Sequence, residues 1–273
     1  MSTIEPAQSA DFSPPNWRET DDERRFGGLA RLYGVAGAQN IRQAHVAVVG
    51  LGGVGSWSAE ALARSGVGRL TLIDMDHISE SNINRQIHAL TATTGQSKVL
   101  AMQARIAQIN PACKVEVVDD FVTPENWPSL LSEMPDALID ACDQVKAKVA
   151  LAHWAIEKRL GFITVGAAGG KRMAHKVDVD DLSRITHDPL LAQLRYRLRK
   201  HHQAPRGEHR MGVQGVFSRE SVAPPDASCA IDGDGSLNCH GYGSVVSVTA
   251  TFGMCAASEI LNFLASSAKK PKI

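Results

Sequence analysis

The run His45-Val-Ala-Val-Val-Gly50-Leu-Gly52-Gly53-Val-Gly55, continuing through Ser-Trp-Ser-Ala-Glu-Ala-Leu-Ala to Arg64, decides the fold of this chain. A short β-branched run bounded by glycine predicts a buried strand. Residues 54–64 then carry Ala and Leu at helical spacing and stop at Ser65-Gly66, which predicts a helix. Gly50, Gly52 and Gly55 lie directly after the strand and open the helix. Glycines at these places permit a tight turn and let backbone approach a phosphate, which sits against free N–H groups at the positive helix end. The motif signals a nucleotide without saying which one.

Working outward, the strand-then-helix unit recurs. Strands are predicted at 69–74, 114–118, 137–140 and 162–166, with helices at 97–109 and 146–158 and a helical stretch after Arg24. Such alternation implies parallel pairing through right-handed crossovers. The expected fold class is therefore α/β: a Rossmann-like, mostly parallel sheet with helices on both faces over 24–170. Residues 171–268 form a less regular extension with some antiparallel strands, completing a single domain over 24–268. Within it, 169–179 looks strand-like. Residues 189–202 form a helix with Leu190, Leu191, Leu194 and Leu198 on one face, and a Gly/Asp/Ser-rich loop covers 224–243. The apolar segment 244–265 has about the length of a membrane span. It contains Glu259, Asn262 and several Ser and Thr residues, and is read as a buried core helix. Residues 1–23, rich in Ser, Pro and acids, read as a poorly ordered tail.

Composition narrows the function classes. The 273 residues are 44% hydrophobic and 21% charged, which excludes collagen-like, coiled-coil and largely disordered chains. Lys+Arg and Asp+Glu balance at 29 each, which argues against coating nucleic acid by bulk charge. Cys113, Cys142, Cys229, Cys239 and Cys255 include no C-x-x-C pair, so they make neither a disulfide framework nor a zinc ribbon. No secretory signal opens the chain, and the expected location is cytoplasmic.

Asp74 ends the second predicted strand, nineteen residues beyond Gly55, where an acid accepts hydrogen bonds from ribose hydroxyls. To this point an NAD-dependent dehydrogenase fits equally well, and so does a simple turn aspartate. The next motifs separate the readings. They are Ser81-Asn82-Ile-Asn84-Arg85-Gln86, then Gly95-x-x-Lys98, then Asp140-Ala-Cys-Asp143. Arg85 and Lys98 beyond the carboxyl ends of parallel strands suit a triphosphate, whose outer phosphates need positive charge. Asp143 at a neighbouring strand end supplies an oxygen for Mg²⁺. Singly, Lys98 is a solvated helix residue and Asp143 a helix cap; together, in this order, they point to ATP.

With GLGGVGSW, IDMD, SNINRQ, GQSK and DACD in place, the chain resembles the ThiF/MoeB family of adenylate-forming enzymes, relatives of the ubiquitin-activating enzymes. RFGGLARLYG, NRQIHAL, VVDDFVTPEN, DPLLAQLRYRLRK and GVFSRE look more closely like its tRNA threonylcarbamoyladenosine dehydratase branch, over about 24–264. The resemblance implies a nucleotide-binding set of Gly50, Gly52, Gly53, Gly55, Asp74, Asp76, Asn82, Arg85, Gln86 and Lys98. It gives Arg85, Lys98 and Asp143 the catalytic roles, with Asp143 as the Mg²⁺ partner. It further implies ATP-dependent dehydration of threonylcarbamoyladenosine in tRNA through an adenylated carboxylate, with release of pyrophosphate and AMP. A homodimer, a monovalent cation near the nucleotide and a cysteine-desulfurase partner for sulfur transfer follow by the same resemblance; DNA does not.

Two departures stand out. Relatives that activate sulfur carriers often hold zinc through two C-x-x-C pairs, absent here. They also place an arginine, reaching into the partner subunit, where this chain has Gly28; Arg24, Arg25 and Arg31 are the alternatives.

Two features remain open. Cys239, in a polar loop, is either a thioester-forming nucleophile or a loop cysteine. Cys113, Cys142 and Cys255 lie in or beside apolar elements and read as core. The segment 195–210 holds Arg195, Arg197, Arg199, Lys200, Arg206 and Arg210 with a single acid, and is either an RNA-backbone contact or a solvated helix face. Rival functions are adenylation of a ubiquitin-like sulfur carrier, an NAD-dependent oxidoreductase, and a non-catalytic RNA-binding or sulfur-relay protein.

Overall fold

Alternation along the strands sorts side chains into two cores. In β1 (His45–Val49), Val46 and Val48 enter one hydrophobic cluster while Ala47 and Val49 enter another. β4 (Ala137–Asp140) divides in the same way, Ile139 to one face and Leu138 to the other. A strand covered on both faces is apolar throughout rather than alternating, as parallel sheets require. The computed structural model describes residues 21–207, 209–224, 226 and 242–267.

With β2 (Arg69–Ile73), β3 (Lys114–Val118), β5 (Gly161–Val165), β6 (Val177–Asp181) and β7 (Gln214–Ser218), these strands form one sheet in the order β3-β2-β1-β4-β5-β7-β6. All neighbours are parallel except β6 and β7, which are antiparallel. One face carries α2 (Gly28–Arg42), α3 (Gly55–Arg64), α4 (Lys98–Ile109) and the long helix α7 (Val246–Ser266); the other carries α5 (Val145–Lys158) and α6 (Pro189–His201). A short α1 (Asp22–Phe26) precedes them, capped by the Asp21 carboxylate, which accepts from the Arg24 N–H at 3.1 Å. This helix begins two residues before residue 24.

α7 is long and apolar enough to cross a membrane by length and composition. It buries Val248, Phe252, Ala256, Ile260 and Leu264, spaced every four residues, in the same cluster as the strands, so it is a core helix.

Two corrections concern the extension. The strand expected at 169–179 is β6, starting only at Val177: Gly170 adopts a left-handed φ of 69° and turns the chain, and a 3₁₀ turn at Ala174–Lys176 follows. β7 was not anticipated. Its five residues include only Val216 and Phe217 as large apolar groups, too short a run to show a period, and pairing with β5 and β6 is what makes it a strand.

The connectivity fixes where a ligand goes. From β1 the chain steps outward to β2 and β3, then returns to β4 on the other side of β1. Ligands of open α/β sheets sit beyond the carboxyl ends at this reversal point. Here it lies between Gly50 after β1 and Ala141 after β4.

Candidate active site

Gly50 has φ 86°, and a Cβ there would meet the Ala141 carbonyl oxygen at 2.9 Å. A Cβ on Gly55 would fall 1.8 Å from the Gly50 carbonyl oxygen. These two glycines serve the turn and the close contact of helix with strand. Gly52 is different: a Cβ there meets nothing within 4 Å, so the space above it is open. The Gly52, Gly53 and Val54 N–H groups donate to no other described residue, and α3 begins without a side-chain cap. The loop thus offers unsatisfied donors at a helix N-terminus under open space, a cradle for phosphate.

Asp74, just past β2, lies across this loop. Its Oδ2 accepts the Leu51 N–H at 2.6 Å and its Oδ1 the Asp76 N–H at 2.8 Å. Burial pushes its pKa up, while the Lys98 ammonium and the two N–H donors pull it down. Lys98, at the start of α4, places Nζ 2.6 Å from Asp76 Oδ2 and 3.9 Å from Asp74 Oδ1. This is a correction to the reading of Lys98 as a possible solvated residue: it is buried, and both acids of the Asp74–Asp76 turn hold it.

The segment after Ser79 forms the facing wall. Asn82 Oδ1 accepts the Ser79 N–H at 3.1 Å, and the Asn82 carbonyl accepts from Arg85 and Gln86 N–H, so Asn82 shapes the turn that presents Arg85. The Arg85 Nη1 donates to the Ser81 carbonyl at 2.6 Å and to Asn84 Oδ1 at 2.9 Å, and its carbonyl accepts from the Trp57 indole at 2.9 Å. Arg85 Cγ lies 3.2 Å from where a Gly53 Cβ would be, which brings the guanidinium stem against the glycine loop. In this segment and at the head of α4, buried side-chain atoms with no partner among the described residues are Arg85 Nε, Gln86 Oε1, both His88 ring nitrogens and Ser97 Oγ. Burial, reinforced by Lys98 and Arg105, holds the His88 pKa down to about 4, so its ring is neutral near pH 7. Buried polar groups left open in this way are met by a ligand or water.

Asp143 stands in the loop between β4 and α5, at the same edge of the sheet, with its carboxylate exposed and free of ion pairs among the described residues. Among those residues no group of three or more His, Cys, Asp or Glu forms a metal site. One free carboxylate beside a phosphate cradle is nevertheless what Mg²⁺ uses, since it takes one or two carboxylates and completes its shell with phosphates and water.

Sequence reasoning missed what lies beneath that loop. The Lys148 Nζ donates to Asp140 Oδ2 at 3.1 Å, Thr164 Oγ1 at 3.1 Å and the Val165 carbonyl at 2.8 Å; the Thr164 hydroxyl donates to Asp140 Oδ2 at 2.6 Å. All three side chains are fully buried. They tie the carboxyl ends of β4 and β5 to α5. The readable signal was a lysine on the helix face of Leu151, Ala152 and Ala155, which are buried.

Other expected residues divide. Cys142 donates its thiol to Asp140 Oδ1 at 3.0 Å, and burial with the Asp140 charge pushes its pKa well up; burial takes Cys113 to about 12. Neither is a poised thiolate. Cys239 lies outside the described residues. Of the alternatives to the missing arginine at Gly28, Arg25 donates to the Ile109 carbonyl at 2.6 Å, a bond within its own chain.

In the basic segment Arg195 is also committed: its Nη1 donates to the Leu182 and Ile185 carbonyls at 3.0 and 2.8 Å. Its removal from the free cationic surface corrects the even reading of six cations. Arg195→Ala is expected to cost about 1.5–3 kcal/mol, the worth of hydrogen bonds to a charged group, as a fall in the urea midpoint. An unchanged midpoint would place the side chain in the solvent.

The family model described as "ThiF family" matches residues 27–273. The tRNA threonylcarbamoyladenosine dehydratase of Escherichia coli is 43% identical over 93% of this chain and 96% of its own length; that of Haemophilus influenzae is 42% identical over 89% and 94%. A crystal structure of the E. coli enzyme in complex with ATP superimposes with a TM-score of 0.81, at 43% identity, covering 90% of this chain and 96% of that one.

Proposed function

The chain belongs to the ThiF family, and from that premise we infer that it is an ATP-dependent, adenylate-forming enzyme that dehydrates threonylcarbamoyladenosine in tRNA. The observation that carries this reading is the 43% identity to the E. coli dehydratase, sustained over 93% of the chain. The substrate carboxylate attacks the α-phosphorus of ATP and pyrophosphate leaves. A nucleophilic atom within the same modification then closes onto the activated carbonyl and expels AMP. The sum is a cyclic product lighter by one water.

The residue roles are our proposal. The first step needs no general base, because a carboxylate is already ionised near pH 7. It needs positioned positive charge and orientation, the two contributions that dominate phosphoryl chemistry. The open loop at Gly52 and Gly53 receives phosphate, Asp74 turns its remaining acceptor capacity to the ribose, and Arg85 and Lys98 face the charge developing on phosphorus. Asp143 would hold Mg²⁺, which when bound neutralises phosphate charge. Asn82 and Gln86 set the wall that carries Arg85. Lys98 exchanges its bond to Asp76 for phosphate oxygen as ATP enters.

We assign the protein to the cytoplasm and to a homodimer; the exposed Leu32 and Val35 on α2 support a contact there, since the core leaves both uncovered. The monovalent cation and the desulfurase partner rest on the resemblance alone.

The test supplies ATP and threonylcarbamoyladenosine-modified tRNA and follows nucleoside mass and AMP. The expected result is a nucleoside lighter by one water, formed with AMP. AMP without that product would overturn the reading in favour of sulfur-carrier adenylation.

A further inference from the structure

α6 begins where the active-site edge ends. Pro189 occupies its first turn and Asp188 caps it, accepting the Leu191 N–H at 2.9 Å on one oxygen and the Ala167 N–H, just past β5, at 2.9 Å on the other. The helix then runs along the flank, and its buried leucines leave the opposite face to solvent. On that flank lies a pocket of about 510 Å³ lined by Ala192, Arg195, Tyr196, Arg199, Lys200 and Arg206. At about 1.5 Å per residue, its helix-borne part begins roughly 6 Å and ends roughly 18 Å along the helix from the Asp188 cap.

Four cations and no carboxylate line the pocket among the described residues. Two of the cations are fixed. Arg195 holds the Leu182 and Ile185 carbonyls, and Arg199 holds the Pro205 and Gly207 carbonyls at 3.0 and 3.1 Å, which folds the chain after α6 back over the helix and sets Arg206 beside the pocket. Lys200 and Arg206 make no such backbone bonds among the described residues and are exposed. Tyr196 lines the same pocket, 60% exposed, with the Lys200 Nζ 5.6 Å from its ring centroid. A lone exposed tyrosine needs no explanation. A tyrosine lining a pocket with four cations and, among the described residues, no acid matches the way single-stranded nucleic acid is held, with cations following the backbone and an aromatic ring stacking a base.

We propose that this pocket takes one unpaired nucleotide of the tRNA substrate, its base stacked on Tyr196 and its phosphate met by Lys200 and Arg206. The proposal rests on the tRNA-dehydrating function above. Arg195 and Arg199 supply the local field and hold the pocket's shape, while the exposed Lys200 and Arg206 make the phosphate contact. Duplex RNA alone has no base to offer this site.

The test uses the full chain with modified tRNA and measures Kd over a range of salt together with KM and kcat. Tyr196→Ala is expected to raise Kd and KM for tRNA by roughly 5- to 100-fold, the range found for removal of one stacked base. Its kcat at saturating tRNA, KM for ATP and salt slope should stay as in the wild type, and Tyr196→Phe should bind normally. Lys200→Gln should instead reduce the salt slope by about one. If wild-type enzyme dehydrates the tRNA while Tyr196→Ala binds it within twofold of normal, the pocket proposal falls and the function stands. If wild-type enzyme neither binds nor dehydrates modified tRNA, the function falls and the proposal with it. An equal loss of affinity for polyglutamate in Tyr196→Ala would reassign the pocket to an acidic protein surface and overturn the nucleotide reading.

Discussion

Lys98→Ala is expected to lower the rate of adenylate formation by roughly 100- to 1000-fold at saturating ATP, the usual loss when one preorganised electrostatic group is removed from a reacting centre. The expectation follows from where the ammonium sits. It is buried at the head of α4, 2.6 Å from Asp76 and 3.9 Å from Asp74. Removing it has a second consequence. Asp74 already has its pKa raised by burial, and Lys98 is the leading influence opposing that rise. Without the lysine the carboxyl holds its proton to higher pH, so the variant's residual activity should fall on the acid side at a higher pH than the wild type. Asp143→Ala should match the loss in rate but leave that acid limb unmoved, because Asp143 is exposed and lies at the end of another strand. Pyrophosphate exchange and single-turnover AMP release across pH distinguish the two. Near-normal exchange by a folded Lys98→Ala protein would remove Lys98 from the mechanism.

Lys148→Met is expected to cost about 3–5 kcal/mol of stability, because it keeps side-chain volume and strands a fully buried carboxylate. The lysine has no exposed surface, and neither has its partner Asp140. With Nζ gone, Asp140 Oδ2 keeps only the Thr164 hydroxyl. At this chain length each kcal/mol shifts Tm by about 2–4 °C, so thermal unfolding should drop by roughly 10 °C. Asp140→Asn in the same chain should recover much of the loss, since removing both charges of a buried pair is often neutral. A double variant as unstable as Lys148→Met alone would show that the ammonium matters for its bonds to the Val165 carbonyl and Thr164 rather than for neutralising Asp140.

Both residues lie on predicted helices, yet only one stands out in the sequence as a candidate functional residue. Lys98 could be read because it belongs to a motif: a glycine three residues earlier, and an arginine and an acid at neighbouring strand ends. Lys148 belongs to no motif. Its meaning depends on Asp140, eight residues back on β4, and on Thr164, sixteen residues ahead on β5, and only pairing of those strands brings them to one ammonium. The basic segment shows the same limit in reverse. Six cations looked equivalent in sequence, but Arg195 and Arg199 are committed to carbonyls, while Lys200 and Arg206 remain at the surface around Tyr196.

The sequence by itself determined the parallel sheet and the glycine loop at Gly50 to Gly55, and put forward Asp74, Arg85, Lys98 and Asp143 as the candidate set, because these signals are local: periodicity over one element, or glycine and charge at a fixed distance from a strand end. Tertiary structure alone decided that β7 is a strand beside β5, that Lys98 is held between Asp74 and Asp76, and that Lys148 pins the ends of β4 and β5. Each of those depends on contacts between residues distant in the chain, and burial then sets the energy of the charges the contacts bring together.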